Sequence, residues 1–200
     1  MEAARAALGF RAHSGWAALV AIAGPPGAPS VIDRRRIELA GPEVPLPVQP
    51  YHAAQKLAVR EAEAYVHRFA REAQDQAGIA LHAAMDRLGA AGCKVVGCGI
   101  PLGSGRAAPN FAAALASHTM LHTAEGELFR SALIKASENR GLHVLGIRER
   151  DLVARGAEEL GISAEALPLC LSELGRAVGA PWGQDQKLAA LAAWIVLASV

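Results

Sequence analysis

His118, His122 and Glu125 stand at intervals of four and three within "SHTMLHTAEGELFR", Ser117 to Arg130, a segment that otherwise reads as apolar helix. At about 100° per residue the three fall within a narrow arc of one helix face. Extended along the helix, that arc meets Phe111 and Ala114 upstream and Phe129, Ala132, Leu133 and Ala136 downstream, the stripe a helix turns toward a core. The expectation is a polar trio on the core side, with Glu127 beside Arg130 on a solvated face. Two imidazoles one turn apart can hold a zinc-like divalent metal. A carboxylate one turn further supplies a third ligand and leaves a position for water. The same trio can act as general acid and base without metal. It can also be a structural network, with each histidine satisfying a backbone carbonyl and Glu125 paired to Arg11 or Arg130.

Other candidates are less specific. "PLGSGRAAPNF" places Gly103, Gly105 and Arg106 between a strand and a helix, where free N–H groups can hold a phosphate or simply turn the chain. Cys98 follows Gly97 at a strand end and reads either as a nucleophile or as a small core residue. Trp16, Trp182 and Trp194 are read as packing residues, because 4% aromatic content gives no interleaved basic and aromatic surface. His52, His67, His82 and His143 share no spacing and are taken as surface or cap residues.

These groups need a scaffold, and 200 residues with 52% hydrophobic content suffice for one domain spanning the chain, 1–200. A net charge of +1 excludes a global attraction to nucleic acid or anionic lipid. The three arginines of "DRRRIEL" are read as a solvated strand edge that discourages pairing. Three cysteines without metal-ligand spacing point to a reduced, cytoplasmic setting. The first residues are interrupted by Arg5, Arg11 and His13, unlike a signal peptide. The apolar "LAALAAWIVLASV" is shorter than the roughly twenty residues a membrane span requires.

The elements follow from periodicity and breakers. "AALGFRAH", "GWAALVAIAG" and "SVIDRRRIEL" read as an antiparallel meander. "AGPEVPLPVQP", with four prolines, is a surface connection. From Tyr51 to Leu88 a helical period places Leu57, Ala58, Ala62, Tyr65, Phe69 and Ala73 on one side, as one helix or as two broken at Gly78. "CKVVGCGI" is a strand, Asn110 to Asn139 a long helix closed at Gly141, and "LHVLGI" another strand. Helices near Glu149 to Leu160, after Ser163, and from about Gln184 complete the chain. Strands four and five, joined through a helix, must run parallel. The predicted class is α/β, a mixed five-stranded sheet flanked by helices.

That order resembles the ribonuclease H-like fold. "GELFRSALIKASENRGLHVLGIRERDLVARG", "LAALAAWIVLAS" and "LGFRAHSGWAALVA" are similar to the long helix, following strand, closing helix and first hairpin of the RuvC Holliday-junction resolvases. The resemblance implies carboxylates on the first strand, the fourth strand and the last helix, holding two metal ions at a scissile phosphate. Here the first-strand position falls on Arg11 or His13 and the fourth-strand position near Cys98. Only Asp185, with Lys187 close by, matches an acid of the last helix. One acid in place of four cannot assemble a pair of Mg²⁺ sites. By the same analogy the helix carrying the trio begins near the carboxyl end of strand four, the side on which strand one also ends. His13, Arg11 and Asp185 would then approach the same crevice as His118, His122 and Glu125. Two functions stay open: a hydrolytic enzyme using this trio with His13 or Asp185, or a non-catalytic binding or scaffolding module. Nucleic acid is a partner by analogy only, and a homodimer through an apolar helix face is a further expectation.

Overall fold

The first strand, β1 (Ala4–His13), is buried on both sides over its middle, Ala6–Phe10, so these residues alternate between two cores rather than between core and water. Leu8, Phe10 and Ala12 enter one core and Ala7 the other. In the computed structural model, which describes residues 3–41 and 48–200, β1 is the central strand of five, in the order β3-β2-β1-β4-β5. Strands β2 (Trp16–Ala23) and β3 (Ser30–Glu38) pair antiparallel as the predicted meander. Strands β4 (Cys93–Leu102) and β5 (His143–Arg148) pair parallel to β1 and to each other. Helix α1 (Pro50–Ala54) and the long α2 (Val59–Ala90) precede β4. Helices α3 (Phe111–Ala116) and α4 (His118–Glu138) precede β5. Helices α5 (Leu152–Leu160), α6 (Leu167–Arg176) and α7 (Gln184–Ser199) end the chain. Much of the proline-rich connection, residues 42–47, lies outside the described residues.

Helices α2 and α4 cover the face that receives Phe10, while α7 covers the other. Helix α7 is apolar all round, and Leu188–Leu197 are buried without interruption, as a helix held between a sheet and further helices must be. Two glycines set its depth. A Cβ on Gly9 would lie 1.8 Å from the carbonyl oxygen of Ala189, and one on Gly99 would lie 2.3 Å from that of Ala192. The helix backbone therefore rests on the strand backbones.

Three expectations change. Helix α2 runs through Gly78 without a break and starts at Val59, leaving Leu57 outside it and 40% exposed. The helix predicted over Asn110–Asn139 is two helices. Ser117 adopts an extended backbone and its hydroxyl accepts from the Met120 N–H at 3.4 Å, capping a new start, as Asn110 caps α3. The upstream stripe of Phe111 and Ala114 is therefore not continuous with the trio. Ser163 caps only a turn, accepting from the Ala166 N–H, and α6 starts later, at Leu167. The arginine-rich strand β3 does form a sheet edge. Arg35 pairs with Asp33 and Arg36 with Glu38, while Arg34 donates to the carbonyls of Gly179, Ala180 and Pro181.

Replacing Gly99 with Ala drives a methyl group into helix backbone and should cost about 3 kcal/mol, at the upper end of overpacking effects. Gly78→Ala, where nothing lies within 4 Å, should instead stabilise by about 0.5–1 kcal/mol. Urea unfolding of the two variants beside wild type measures both.

Candidate metal centre

Helix α4 begins at His118, so His118 and His122 occupy its first two turns, before the helix has passed under its neighbours. Both are exposed, and only Glu125, one turn further in, is buried, at 2% exposure. The predicted core-facing trio is thus a buried carboxylate with two exposed imidazoles: the break at Ser117 resets the helix, and its first turns direct Leu121, rather than the histidines, into the core. The two imidazoles touch, with 3.1 Å between their Nε2 atoms.

The third imidazole comes from elsewhere. His52, set aside in the sequence as a surface or cap residue, stands on α1 with its ring centroid 4.8 Å from that of His122 and 6.1 Å from that of His118. One nitrogen from each of His52, His118 and His122 lies within 4.8 Å of the others, the arrangement in which three ligands can close on one ion. The short α1 is held there by the Gln55 side-chain amide, which donates to the Leu115 carbonyl at 2.9 Å. Tyr51 also packs on Phe111.

Glu125 lies behind the three rings. Its Oε2 is 3.3 Å from Nδ1 of His52, which leaves Nε2 of that ring for a ligand. Its Oε1 is buried without a hydrogen-bond partner. Burial pushes the Glu125 carboxyl up to about 7, and the backbone N–H groups of Tyr51 and His52 pull it back down. Burial, followed by the neighbouring His122 and His118, lowers the pKa of His52, which keeps that ring neutral as ligation demands. Tyr51 is raised by burial and by the Glu125 charge. Beside the centre a cleft of about 580 Å³ opens between α2, α3 and α4, with Tyr51, Phe111, Thr123 and Glu127 in its wall.

The remaining candidates are placed apart. His13 donates through Nε2 to Asp185 Oδ1 at 2.8 Å and stacks on Trp16, with ring centroids 4.2 Å apart. Arg11 pairs with Glu149 at 2.8 Å. His13 and Arg11 follow Gly9 at alternate positions of β1, so they share the α7 face, while Glu125 belongs to the α4 face. The single crevice expected from analogy is two sites on opposite faces of the sheet. Gly103 and Gly105 lie against α4, at Arg130 and Thr123 respectively, and Arg106 is exposed. Glu127 is partly exposed and pairs with Arg130, but Arg130 is buried rather than on the expected solvated face, because the loop after β4 packs over it at Gly103. Trp182 and Trp194 donate their indole N–H to the carbonyls of Leu171 and Pro26, consistent with packing roles.

No protein-family model matches this sequence, and no curated protein matches it. Its structure is similar to a Thermus thermophilus RuvC structure, with a TM-score of 0.52 and 11% identity over 95% of this chain and 91% of that one. It is also similar to T. thermophilus RuvC in complex with Holliday junction substrate, with a TM-score of 0.51 and 10% identity over 96% and 91% of the two chains. The fold is RuvC-like. Arg11 and His13 lie near the end of β1 and share its α7 face. Cys98, on β4, faces the opposite core and is fully buried, its thiol pushed up to about 11 by burial. A thiol in that state does not act as a nucleophile at neutral pH. No helix among the described residues is long and apolar enough to cross a membrane.

Alkylation with iodoacetamide at pH 8 should therefore modify Cys93 and Cys170, both partly exposed, and spare Cys98 until the protein is denatured. Peptide mass spectrometry before and after denaturation reads the difference.

Proposed function

We propose that the protein is a metal-dependent hydrolase whose centre is formed by His52, His118 and His122. The observation that carries this reading is the convergence of three imidazoles from two helices, backed by a buried carboxylate on one of them. A structural network would turn the rings toward backbone carbonyls. Here the two α4 rings face each other and solvent. A bound divalent ion with three nitrogen ligands supplies Lewis acidity and a water of lowered pKa. His118 and His122 ligate from adjacent turns of α4, and His52 ligates through Nε2.

Glu125 is a positioning residue. By accepting from Nδ1 it fixes the tautomer and direction of His52, as carboxylates behind histidine ligands generally do. Hydrolysis adds water across the substrate bond, the hydroxyl going to the electrophilic centre and the proton to the leaving group. The cleft beside Tyr51 and Phe111 gives the substrate body a place to lie. The His13 and Asp185 pair on the α7 face is a separate hydrogen-bonded dyad, and on this reading it takes no part in the reaction.

The test is metal content by inductively coupled plasma mass spectrometry, together with Co²⁺ absorption spectra. Wild type is expected to hold about one metal ion per chain, and His122→Ala and His52→Ala to hold almost none. Glu125→Gln should bind the ion about 10–100-fold more weakly, the usual effect of removing a carboxylate behind a ligand. Loss of metal in His52→Ala is the decisive result, because a site built on His118, His122 and Glu125 would keep it. Metal-free wild-type protein under metal-replete expression would overturn the reading.

A further inference from the structure

The cleft of about 580 Å³ follows the seam between α2 and α4. The two helices advance in the same direction, with Phe69 beside Phe129 and the carbonyl of Gly78 accepting from Arg140. Residues spaced by three and four on each helix therefore face one another in rows. Val66, Ala70, Ala124, Leu128 and Ala132 make an apolar floor, and its three alanines, which stop at Cβ, keep a slot open where larger side chains would close it.

One end of the slot adjoins the imidazoles. Tyr51 and Thr123 stand in the wall there, next in sequence to His52 and His122. The other end is cationic. Arg71 and Lys135 both lie in the wall, exposed, and neither has an ion-pair partner among the described residues. Arg71 stands two residues past Phe69, about level with Ser131, and Lys135 leans back along α4 toward that level, as helical side chains do. Glu127 is the only acid in the wall among the described residues, and it faces Arg130 at 3.4 Å. Thr123 and Lys135 are separated along α4 by about 18 Å, which sets the length between the two ends.

We propose that this cleft binds a carboxylate with a slim apolar body, the body on the alanine floor and the carboxylate between Arg71 and Lys135. The three-histidine centre then hydrolyses an ester or amide bond at the opposite end of such a molecule. The binding stands on the cleft alone, whereas the cleavage rests on the metal-dependent hydrolase reading. Burial of the body supplies affinity, and the two cations fix its direction. A nucleic-acid backbone, charged at every unit, has no apolar length to lay on this floor. In the cleavage the hydroxyl of water joins the acyl carbon as its bond to oxygen or nitrogen breaks, and the released alcohol or amine takes the proton.

Calorimetric titration of metal-free protein with decanoate tests the binding. Wild type and His122→Ala should bind decanoate saturably and alike. Replacing both exposed cations, Arg71→Gln with Lys135→Gln, should weaken binding at least tenfold. Ala70→Leu fills the slot while keeping both charges, and should do the same with an unchanged circular dichroism spectrum. Decyltrimethylammonium, the same chain with the opposite charge, should not bind saturably. No saturable binding of decanoate by wild type, wild-type affinity in either folded variant, or equal binding of the ammonium would overturn the proposal. Displacement of decanoate by inorganic phosphate or by a short single-stranded oligonucleotide would overturn the carboxylate class. With zinc-loaded protein, the mono-p-nitrophenyl ester of decanedioic acid should be cleaved with a kcat/KM at least tenfold above that of p-nitrophenyl decanoate, which lacks the second carboxylate. Equal values would overturn the assignment of the cleft to the substrate. Decanoate binding by a protein that takes up no metal would end the hydrolase reading while leaving the carboxylate site standing.

Discussion

Helix α7 lies against the sheet backbone to backbone. The carbonyl oxygens of Ala189 and Ala192 occupy the space where side chains at positions 9 and 99 would project, so any side chain there must push the helix outward. Close approach of this kind brings many weak dispersion contacts into range, and the alanines at 189, 190, 192 and 193 keep the helix narrow enough to use them. Everything on that face is arranged around it, with Leu152, Leu167 and Leu171 sealing its outer side. Because α7 covers the middle of that face, β1 and β4 are buried on both sides there, and polar residues appear toward the end of β1, where His13 meets Asp185 and Arg11 meets Glu149.

The opposite face is built differently. There α2 and α4 meet the sheet through large side chains, Phe10, Phe69, Phe129 and Leu133, so the helices stand further off and leave room between them. The cleft beside Tyr51 and Phe111 lies in that layer, and so do the three imidazoles. The two faces of the sheet thus divide the polar residues. One face carries a compact His13 and Asp185 contact at the mouth of a tightly docked helix. The other carries the imidazole cluster where α1 meets the exposed start of α4.

Electrostatics within the cluster follow from graded burial. Glu125 is shut away beneath α1 and its carboxyl rises, while the two rings of α4 remain in contact with water. His52 sits between these regimes, joined to the carboxylate through one nitrogen and turned toward the other rings with its remaining one. A buried acid, a partly buried ring and two wet rings in sequence make a short path from core to solvent, with the polarity of each group matched to its depth.

Much of the fold was legible in the sequence, and so were two of the three imidazoles and the carboxylate behind them. Alternating and continuous apolar runs marked all five strands, the crossover through a helix dictated that β4 and β5 run parallel, and a closing helix was expected from about Gln184. These are local patterns, or follow from chain connectivity. The spacing of His118, His122 and Glu125 likewise fixed their common helix face, since i, i+4 and i+7 are neighbours by helix geometry alone. What sequence could not decide was depth and company. The break at Ser117 turned on a cap that competes with helix continuation, and only packing settles that competition, so the exposure of the two α4 histidines was hidden. His52 lies 66 positions before His118, and no periodicity links residues on different elements. Its place beside them depends on α1 docking across α3. Arg130 and Gly103 are related in the same way: each is an ordinary residue in its own segment, and they meet only because the loop after β4 crosses α4 at the turn where Gly126 leaves space.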